Sequence, residues 1–142
     1  VTAGLRSGAV ISITTKSPYA LSALVELHRY GGDDPTRPVP IAELARRRNI
    51  SVQFLEQLFA SLRRAGVVRS QRGVKGGYSL ARPAQTITVL ELVEILDGPI
   101  GRDASGIFFA AAQAAGAVLS EATVASVAEL EITAAGAPMY HI

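Results

Sequence analysis

Residues 51–80 read SVQFLEQLFASLRRAGVVRSQRGVKGGYSL, and this stretch decides the fold. Ser51 has the side chain of a helix N-cap, and Gly66 suits the left-handed turn that ends a helix, so a helix is predicted over Val52–Ala65. On a wheel of about 100° per residue, one face is apolar and consists of Leu55, Leu58, Phe59 and Leu62. The opposite face holds Gln53, Gln57, Ala60 and Arg64, with Glu56 and Arg63 on its flank. Glutamine and arginine can contact base edges in a DNA major groove, although an ordinary solvated helix face has the same composition.

A β-hairpin is predicted directly after this helix. Val67–Ser70 and Tyr78–Leu80 have the composition of short strands, and the glycine-rich residues between them can form the turn. Arg72 and Lys75 then lie at its tip, where a slim cationic side chain can enter the narrow, electronegative minor groove. A loop that cradles a nucleotide phosphate is the weaker interpretation, because the strand–loop–helix context and the Gly-Lys-Ser/Thr ending of a P-loop are missing.

Two further helices are predicted before residue 51. An apolar pattern with helical spacing follows Lys16 and stops at the Gly31–Pro35 cluster. Pro40 suits the start of a short helix over Ile41–Arg48, and Asn49 can adopt the left-handed turn conformation after it. The order of elements is therefore that of a helix-turn-helix followed by a wing.

Beyond the hairpin, two more helical segments are predicted. Thr88–Glu91 has the pattern of a capping box, and Gly98 and Pro99 end the helix that it opens. An alanine-rich helix is predicted over Ile107–Ala125. Its stripe steps by four and three residues, as in a heptad seam, through Phe108, Ala112, Ala115, Leu119 and Ala122. A dimer seam is favoured because this stripe would otherwise be exposed, and packing within the chain is the alternative.

Composition excludes several functions. The chain has 142 residues, enough for one compact domain with an appended element, and 49% are hydrophobic, which excludes disorder of the whole chain. It has no cysteine and only His28 and His141 as histidines, so no metal site and no cofactor are expected. No nucleophile with a nearby base is recognised, so an enzyme is not expected. Without an apolar run of membrane-spanning length or a signal peptide, a soluble cytoplasmic protein is expected.

The positive charge is concentrated in the middle of the chain. Between Arg46 and Arg82 there are nine basic residues and one acidic residue, Glu56, which gives a local charge of +8, whereas the whole chain has a net charge of +2. From Pro99 onward, one arginine stands against four acidic residues. This asymmetry indicates a polyanion-binding region followed by a part with another role.

Several motifs, in order, resemble the winged-helix repressor family of IscR, NsrR and CymR. They are Thr15-Lys16-x-x-Tyr19-Ala20, Phe54-Leu55-Glu56-Gln57-Leu58, Leu62-Arg63-x-Ala65-Gly66, Arg72-Gly73-x-x-Gly76-Gly77-Tyr78-x-Leu80 and Leu96-Asp97-Gly98-Pro99. The resemblance implies a mainly α fold with a small β-hairpin wing and a long C-terminal dimerisation helix. The expected divisions are an N-terminal extension (1–11), a winged helix-turn-helix DNA-binding domain (12–99), a dimerisation helix region (100–131) and a C-terminal tail (132–142).

The same resemblance implies a homodimer on a palindromic operator in double-stranded DNA, with the 52–65 helix in the major groove and the wing in the minor groove. Gln53, Glu56 and Gln57 occupy the family's base-reading positions, and Arg72 that of the wing arginine. The family usually has a small polar residue where Gln53 stands, so a different operator sequence is expected. Lys16, Tyr19, Arg63 and Lys75 would contact phosphates. Ser51, Arg64 and Tyr78 complete the expected DNA-binding set.

One departure from the family concerns its cofactor. Cluster-binding members carry three cysteines between the fourth helix and the dimer helix, whereas here Ile100–Gly106 reads IGRDASG. An iron–sulfur cluster needs several soft ligands, so none is expected. The resemblance then favours the members without these cysteines, typified by CymR, gated by a protein partner or a small molecule. A winged-helix adaptor that contacts only proteins is the alternative, and the basic bias argues against it.

The C-terminal residues lead to a more specific hypothesis. Met139, Tyr140, His141 and Ile142 are similar to the aromatic–isoleucine terminus of CymR-type members, which act with cysteine synthase. The carboxylate and side chain of Ile142 would enter the enzyme's amino-acid pocket, and O-acetylserine would compete for it, linking repression to sulfur supply. A frayed terminus without function is the alternative.

Overall fold

The computed structural model describes residues 11–135, which form six α-helices, a 3₁₀ turn and one two-stranded sheet. The helices are α1 (Lys16–Arg29), α2 (Ile41–Arg48), α3 (Val52–Arg64), α4 (Val89–Leu96), α5 (Gly106–Glu121) and α6 (Val124–Ala135). The strands are β1 (Val68–Gln71) and β2 (Gly77–Leu80), and the 3₁₀ turn spans Ala84–Thr86. The mainly α winged helix-turn-helix fold that the sequence predicts is confirmed.

Helices α2 and α3 form the helix-turn-helix unit. Asn49 links them in the left-handed conformation, with φ 55° and ψ 49°. Ser51 Oγ accepts the backbone N–H of Phe54 at 3.1 Å, so α3 begins at the predicted cap. The apolar face predicted for α3 is buried and packs with Leu24, Leu27 and other side chains of α1 in one hydrophobic core.

The wing is attached firmly to this unit. β1 and β2 pair in antiparallel register, with Val68 opposite Leu80. Val39, between α1 and α2, extends the sheet: its N–H donates to the Tyr78 carbonyl and its carbonyl accepts the Tyr78 N–H, both at 2.8 Å. A Cβ on Gly77 would lie only 2.4 Å from the Val39 backbone, so this close approach requires glycine.

The extent predicted for the alanine-rich helix, Ile107–Ala125, is wrong. α5 ends at Glu121, and a separate helix, α6, begins at Val124. Thr123 and Ser126 start α6 with a reciprocal cap: the Thr123 N–H donates to Ser126 Oγ at 2.9 Å, and the Ser126 N–H donates to Thr123 Oγ1 at 3.0 Å.

The break between α5 and α6 is also held by backbone hydrogen bonds to the chain at the start of α4. The Val89 N–H donates to the Ala122 carbonyl at 2.8 Å, and the Val124 N–H donates to the Ile87 carbonyl at 2.9 Å. These backbone bonds compete with the continuation of α5. The break therefore depends on a long-range pairing that helical periodicity does not reveal.

α6 packs along α1, and its Val124 and Ala128 side chains are buried. Ile132–Ala135, the first four residues of the expected C-terminal tail, belong to this helix. The expected division between residues 131 and 132 falls inside α6. Residues 1–10 and 136–142, including the predicted partner-binding residues Met139–Ile142, lie outside the residues that the structure describes.

An ion-pair network joins α6 to the helix-turn-helix unit through Arg48, the last residue of α2. Its guanidinium donates to Glu131 of α6 at 2.9 and 3.1 Å and to Glu26 of α1 at 2.7 Å. Ser22 Oγ accepts a further bond at 3.2 Å. Three helices thus converge on one arginine.

Among the helices in residues 11–135, none has both the length and the apolar character needed to cross a bilayer.

Candidate nucleic-acid interface

The outer face of α3 is polar and open to solvent. Its exposed residues are Gln53, Glu56, Gln57, Arg63 and Arg64, and Ala60 is half-buried among them. This is the face that the helical wheel predicts. A single α-helix fits the major groove of B-DNA, where arginine and glutamine can donate to purine edges and a carboxylate can accept from cytosine N4. The face therefore carries both donors and acceptors suited to base edges.

The start of α1 lies beside this face. Lys16 is exposed, and the Tyr19 ring meets the Phe54 ring edge-on, with 5.7 Å between the centroids. The Thr14 and Ser17 hydroxyls both donate to the Asp97 carboxylate at 2.6 Å, which ties the start of α1 to the end of α4. A shallow cavity of about 380 Å³ lies between these elements and is lined by Lys16, Phe54, Gln57, Leu58, Ala60, Ser61, Arg64 and Leu96. Lys16 is therefore on the same side of the molecule as Gln57 and Arg64.

The wing adds a second basic element. Arg72 and Lys75 are both exposed. The Gly76 N–H donates to the Gly73 carbonyl at 3.0 Å, so the central residues of the turn are Val74 and Lys75, and Arg72 comes just before the turn. The tip is thus one apolar and one cationic residue rather than two cations.

Several arginines counted in the basic middle of the chain are paired with acidic residues outside it. Arg46 and Arg47 both bind Glu43, at 2.5 and 2.6 Å, and these hydrogen bonds lower the pKa of Glu43 to about 2. Arg48 binds Glu26 and Glu131, as described above. Arg46 is paired within α2, whereas Arg47 also reaches Glu26 of α1 and Arg48 joins α2 to α1 and α6. The charge of all three arginines is locally compensated.

Arg82 is also committed within the fold. Its guanidinium donates twice to the Glu91 carboxylate at 2.6 Å and once to the Thr86 carbonyl at 2.8 Å, and the paired charge lowers the pKa of Glu91. The five other cations of the basic stretch make no ion pair among residues 11–135; they are Arg63, Arg64, Arg69, Arg72 and Lys75. All five are exposed on α3 or the hairpin. The uncompensated positive charge of the basic stretch therefore lies on these two elements.

Two members of the expected DNA-binding set have structural roles. Ser51 Oγ caps α3, although the residue remains exposed. The Tyr78 ring is half-buried and packs edge-on against Phe59, with 5.0 Å between the centroids. DNA contacts by these two side chains stay predictions, as they do for the rest of the set. His28 is hydrogen-bonded through Nδ1 to Asp33 at 2.9 Å.

The predicted seam on α5 is only partly exposed. Phe108 is exposed, whereas Ala112 is buried within its own chain, where a Cβ on Gly101 would lie 2.4 Å from the Ala112 Cβ. Ala115, Leu119 and Ala122 are half-buried. The most exposed large apolar side chains of α5 are Ile107, Phe108 and Val118. Apart from Phe108, the exposed apolar surface thus lies off the predicted stripe, because the other side of α5 packs on α4.

Sequence reasoning missed three features of this region. Val74 at the wing tip was overlooked because exposure of an apolar residue has no sequence signal. The role of the Asp97 carboxylate in holding the start of α1 could not be predicted either, since its partners, Thr14 and Ser17, are 80 or more residues away in the chain. The pairing of Arg48 with Glu131 was missed for the same reason, being 83 residues apart in the chain.

The loop before α5 does not fit an iron–sulfur cluster. Ile100–Ser105 contains no thiol, and the chain has no cysteine. Among residues 11–135, no group of three or more histidine, aspartate or glutamate side chains is arranged to hold a metal ion. The donor chemistry needed for a thiolate-bound cluster is therefore missing from this chain.

Comparison with known proteins shows which family this chain resembles. The profile of the Rrf2 family, described as iron-dependent transcriptional regulators, matches residues 13–105. IscR, a helix-turn-helix transcriptional regulator of Cereibacter sphaeroides, is 43% identical over 101 residues, which cover 68% of this chain and 64% of the relative. CymR of Bacillus subtilis, also such a regulator, is 39% identical over 90 residues, 63% of each chain. The matched segment thus spans less than two thirds of either curated relative.

Solved structures have the same fold. The structure of CymR, the global cysteine regulator of B. subtilis, superposes with a TM-score of 0.72 at 29% identity and covers 84% of this chain and 98% of that one. The T. potens IscR structure superposes with a TM-score of 0.76 at 32% identity, over 92% of this chain and 95% of that one. Similarity alone therefore does not distinguish a CymR-type from an IscR-type member.

Proposed function

Because the chain belongs to the Rrf2 family of transcriptional regulators, we propose that it is a DNA-binding transcriptional repressor that holds a palindromic operator as a homodimer. The observation that carries this proposal is the distribution of cations without ion-pair partners among residues 11–135: all five within the basic stretch lie on α3 and the hairpin. Helix α3 would enter the major groove, with Gln53, Glu56 and Gln57 at base edges. Arg72 would enter the adjacent minor groove, and Lys16 and Arg63 would contact phosphates. Since its target is DNA, we propose the cytoplasm as its location.

Dimer formation is supported by the exposed apolar surface of α5. Ile107 is 75% exposed and Val118 is 67% exposed, and Phe108 lies beside Ile107. When a second copy covers an exposed apolar surface of this kind, the free energy of the pair falls, which favours the dimer. A twofold dimer would present two copies of α3, as a palindromic operator requires.

We propose that this regulator works without an iron–sulfur cluster. The support is chemical: no thiol is present in the loop before α5 or elsewhere in the chain. The signal that gates DNA binding is then a protein partner or a small molecule. Control of cysteine metabolism together with cysteine synthase, through Met139–Ile142, is the more specific form of this proposal, and the resemblance of that terminus to CymR-type members supports it.

The experiment for DNA binding is selection of operator sequences from random double-stranded DNA by the purified protein, followed by hydroxyl-radical footprinting. The expected result is an enriched palindrome with two protected half-sites about one helical turn apart. Absence of enrichment would contradict the proposal and favour the protein-binding adaptor.

The partner hypothesis is tested separately, by calorimetric titration of the intact chain and of a copy lacking Met139–Ile142 into cysteine synthase. Equal binding by both, or no heat from the intact chain, would refute it.

A further inference from the structure

The tip of the wing carries the most exposed large apolar side chain of residues 11–135. Val74 is fully exposed. Cationic residues stand on both sides of it in the chain, Arg72 and Lys75, and both are exposed as well. Val74 makes no contribution to the hydrophobic core, so its apolar surface is unused in the isolated fold.

The turn that presents Val74 is tightly wound. Val74 and Lys75 are its two central residues, closed by the hydrogen bond from the Gly76 N–H to the Gly73 carbonyl at 3.0 Å. Gly73 has φ 111°, which favours glycine, and a Cβ on Gly76 would lie 2.2 Å from the Gln71 carbonyl oxygen. The backbone conformation of the tip is therefore closely defined, and Val74 projects from it at a fixed place.

The base of the wing is fixed relative to α3. Tyr78 of β2 packs edge-on against Phe59 of α3, with 5.0 Å between the ring centroids, and pairs with Val39 through two backbone hydrogen bonds. A wing held in this way moves with α3 as one body. When α3 occupies the major groove, the tip is therefore held at a set position over the neighbouring stretch of DNA.

We propose that Val74 is a minor-groove contact that makes the protein select A·T pairs under the wing; this inference rests on the proposed DNA-binding function. The walls of the minor groove are sugar C–H groups, which an apolar side chain can cover, while Arg72 enters the groove beside it and Lys75 can hold a neighbouring phosphate. Guanine places its N2 amino group on the groove floor, where valine offers it no acceptor, whereas A·T pairs leave the floor open. Apolar side chains inserted into the minor groove are an established way to read and deform DNA.

The first test compares variants on an operator selected by the wild-type protein. Val74→Ser is expected to lose about threefold to tenfold in affinity, since two methyl groups no longer cover sugar surface. Its dependence on salt should match that of the wild type, because no charge is lost. Val74→Ile should keep wild-type affinity. Lys75→Ala is the matched control, and it should instead reduce the salt slope by about one per phosphate contact. Wild-type affinity in Val74→Ser would overturn the inference.

The second test changes the base pairs under the wing to G·C or to inosine·C. Inosine·C has the minor-groove pattern of A·T, because it lacks the guanine amino group. The wild type should bind the inosine·C operator like the A·T operator and the G·C operator more weakly. Val74→Ser, which keeps Arg72, should show a smaller difference between the inosine·C and G·C operators. Equal discrimination by the two proteins would overturn the inference while leaving the proposed function intact. A wild type that binds selected and random DNA alike would contradict both.

Discussion

Replacing Arg48 by alanine tests whether the ion-pair network that joins α1, α2 and α6 stabilises the fold. Arg48 is 16% exposed and Glu26 is 8% exposed at their side chains, whereas Glu131 keeps 34% of its side chain in solvent. Removal of Arg48 leaves the Glu26 carboxylate with a single contact, from Arg47 at 3.5 Å. A buried carboxylate without a close partner is strongly destabilising.

The expected loss in free energy of unfolding is about 3 kcal/mol, near the lower end of the range for broken buried ion pairs, because Glu131 can rehydrate. For a domain of this size the loss corresponds to a decrease in Tm of roughly 10 °C. Urea unfolding followed by circular dichroism measures the first quantity, and thermal unfolding measures the second. The matched control is Arg82→Ala, whose pair with Glu91 is about one third exposed on each side; its expected loss is about 1 kcal/mol.

A double substitution separates the stranded charge from lost packing. Glu26→Gln in the Arg48→Ala background removes the uncompensated carboxylate, so it is expected to restore part of the lost stability, whereas Glu26→Gln alone is destabilising. The reasoning would be refuted if Arg48→Ala lost no more stability than Arg82→Ala. It would also be refuted if Glu26→Gln lowered stability equally in both backgrounds.

Three further predictions concern DNA, acid and self-association. Arg72→Ala is expected to cost about 1–3 kcal/mol of operator binding and to relax the preference for A·T pairs under the wing, whereas Lys16→Ala should weaken all sequences equally; fluorescence anisotropy on operator and random DNA checks both. The free energy of unfolding should fall as the pH drops below about 4.5, because arginine partners lower the pKa values of Glu91 and Glu131 in the folded state and protonation then favours the unfolded chain. Urea unfolding at pH 6 and pH 3 measures this loss. Glu131→Gln should show a smaller difference in unfolding free energy between the two pH values. Ile107→Asp should shift the protein from dimer to monomer in sedimentation velocity at micromolar concentration, and a wild-type monomer would contradict the proposed dimer.

Local sequence signals predicted the helix-turn-helix and the wing well, because each of these elements begins and ends at residues with short-range causes. The Ser51 cap, the left-handed Asn49 and the glycine-rich turn all depend on neighbours within a few residues. The face of α3 followed from periodicity alone, since burial of one face of a helix dictates exposure of the other.

Long-range pairing explains what the sequence did not predict. The break between α5 and α6 depends on backbone bonds that join Ala122 and Val124 to Val89 and Ile87 at the start of α4, and an alanine-rich run gave no sign of it. The local charge counted for the basic stretch is larger than the positive charge left unpaired at the surface. Glu26 and Glu131 pair with Arg48, and Glu91 pairs with Arg82, although all three glutamates lie outside the stretch. The burial of Ala112 follows from its contact with Gly101, which heptad spacing cannot reveal.

Specific DNA binding is the central claim, and the ratio of two dissociation constants tests it most directly. Fluorescence anisotropy with the selected operator and with a scrambled duplex of equal length gives both constants at physiological salt. The account predicts an operator affinity at least about 10³-fold higher, with both affinities decreasing as salt increases. Equal affinities for the two duplexes at that salt concentration would contradict it.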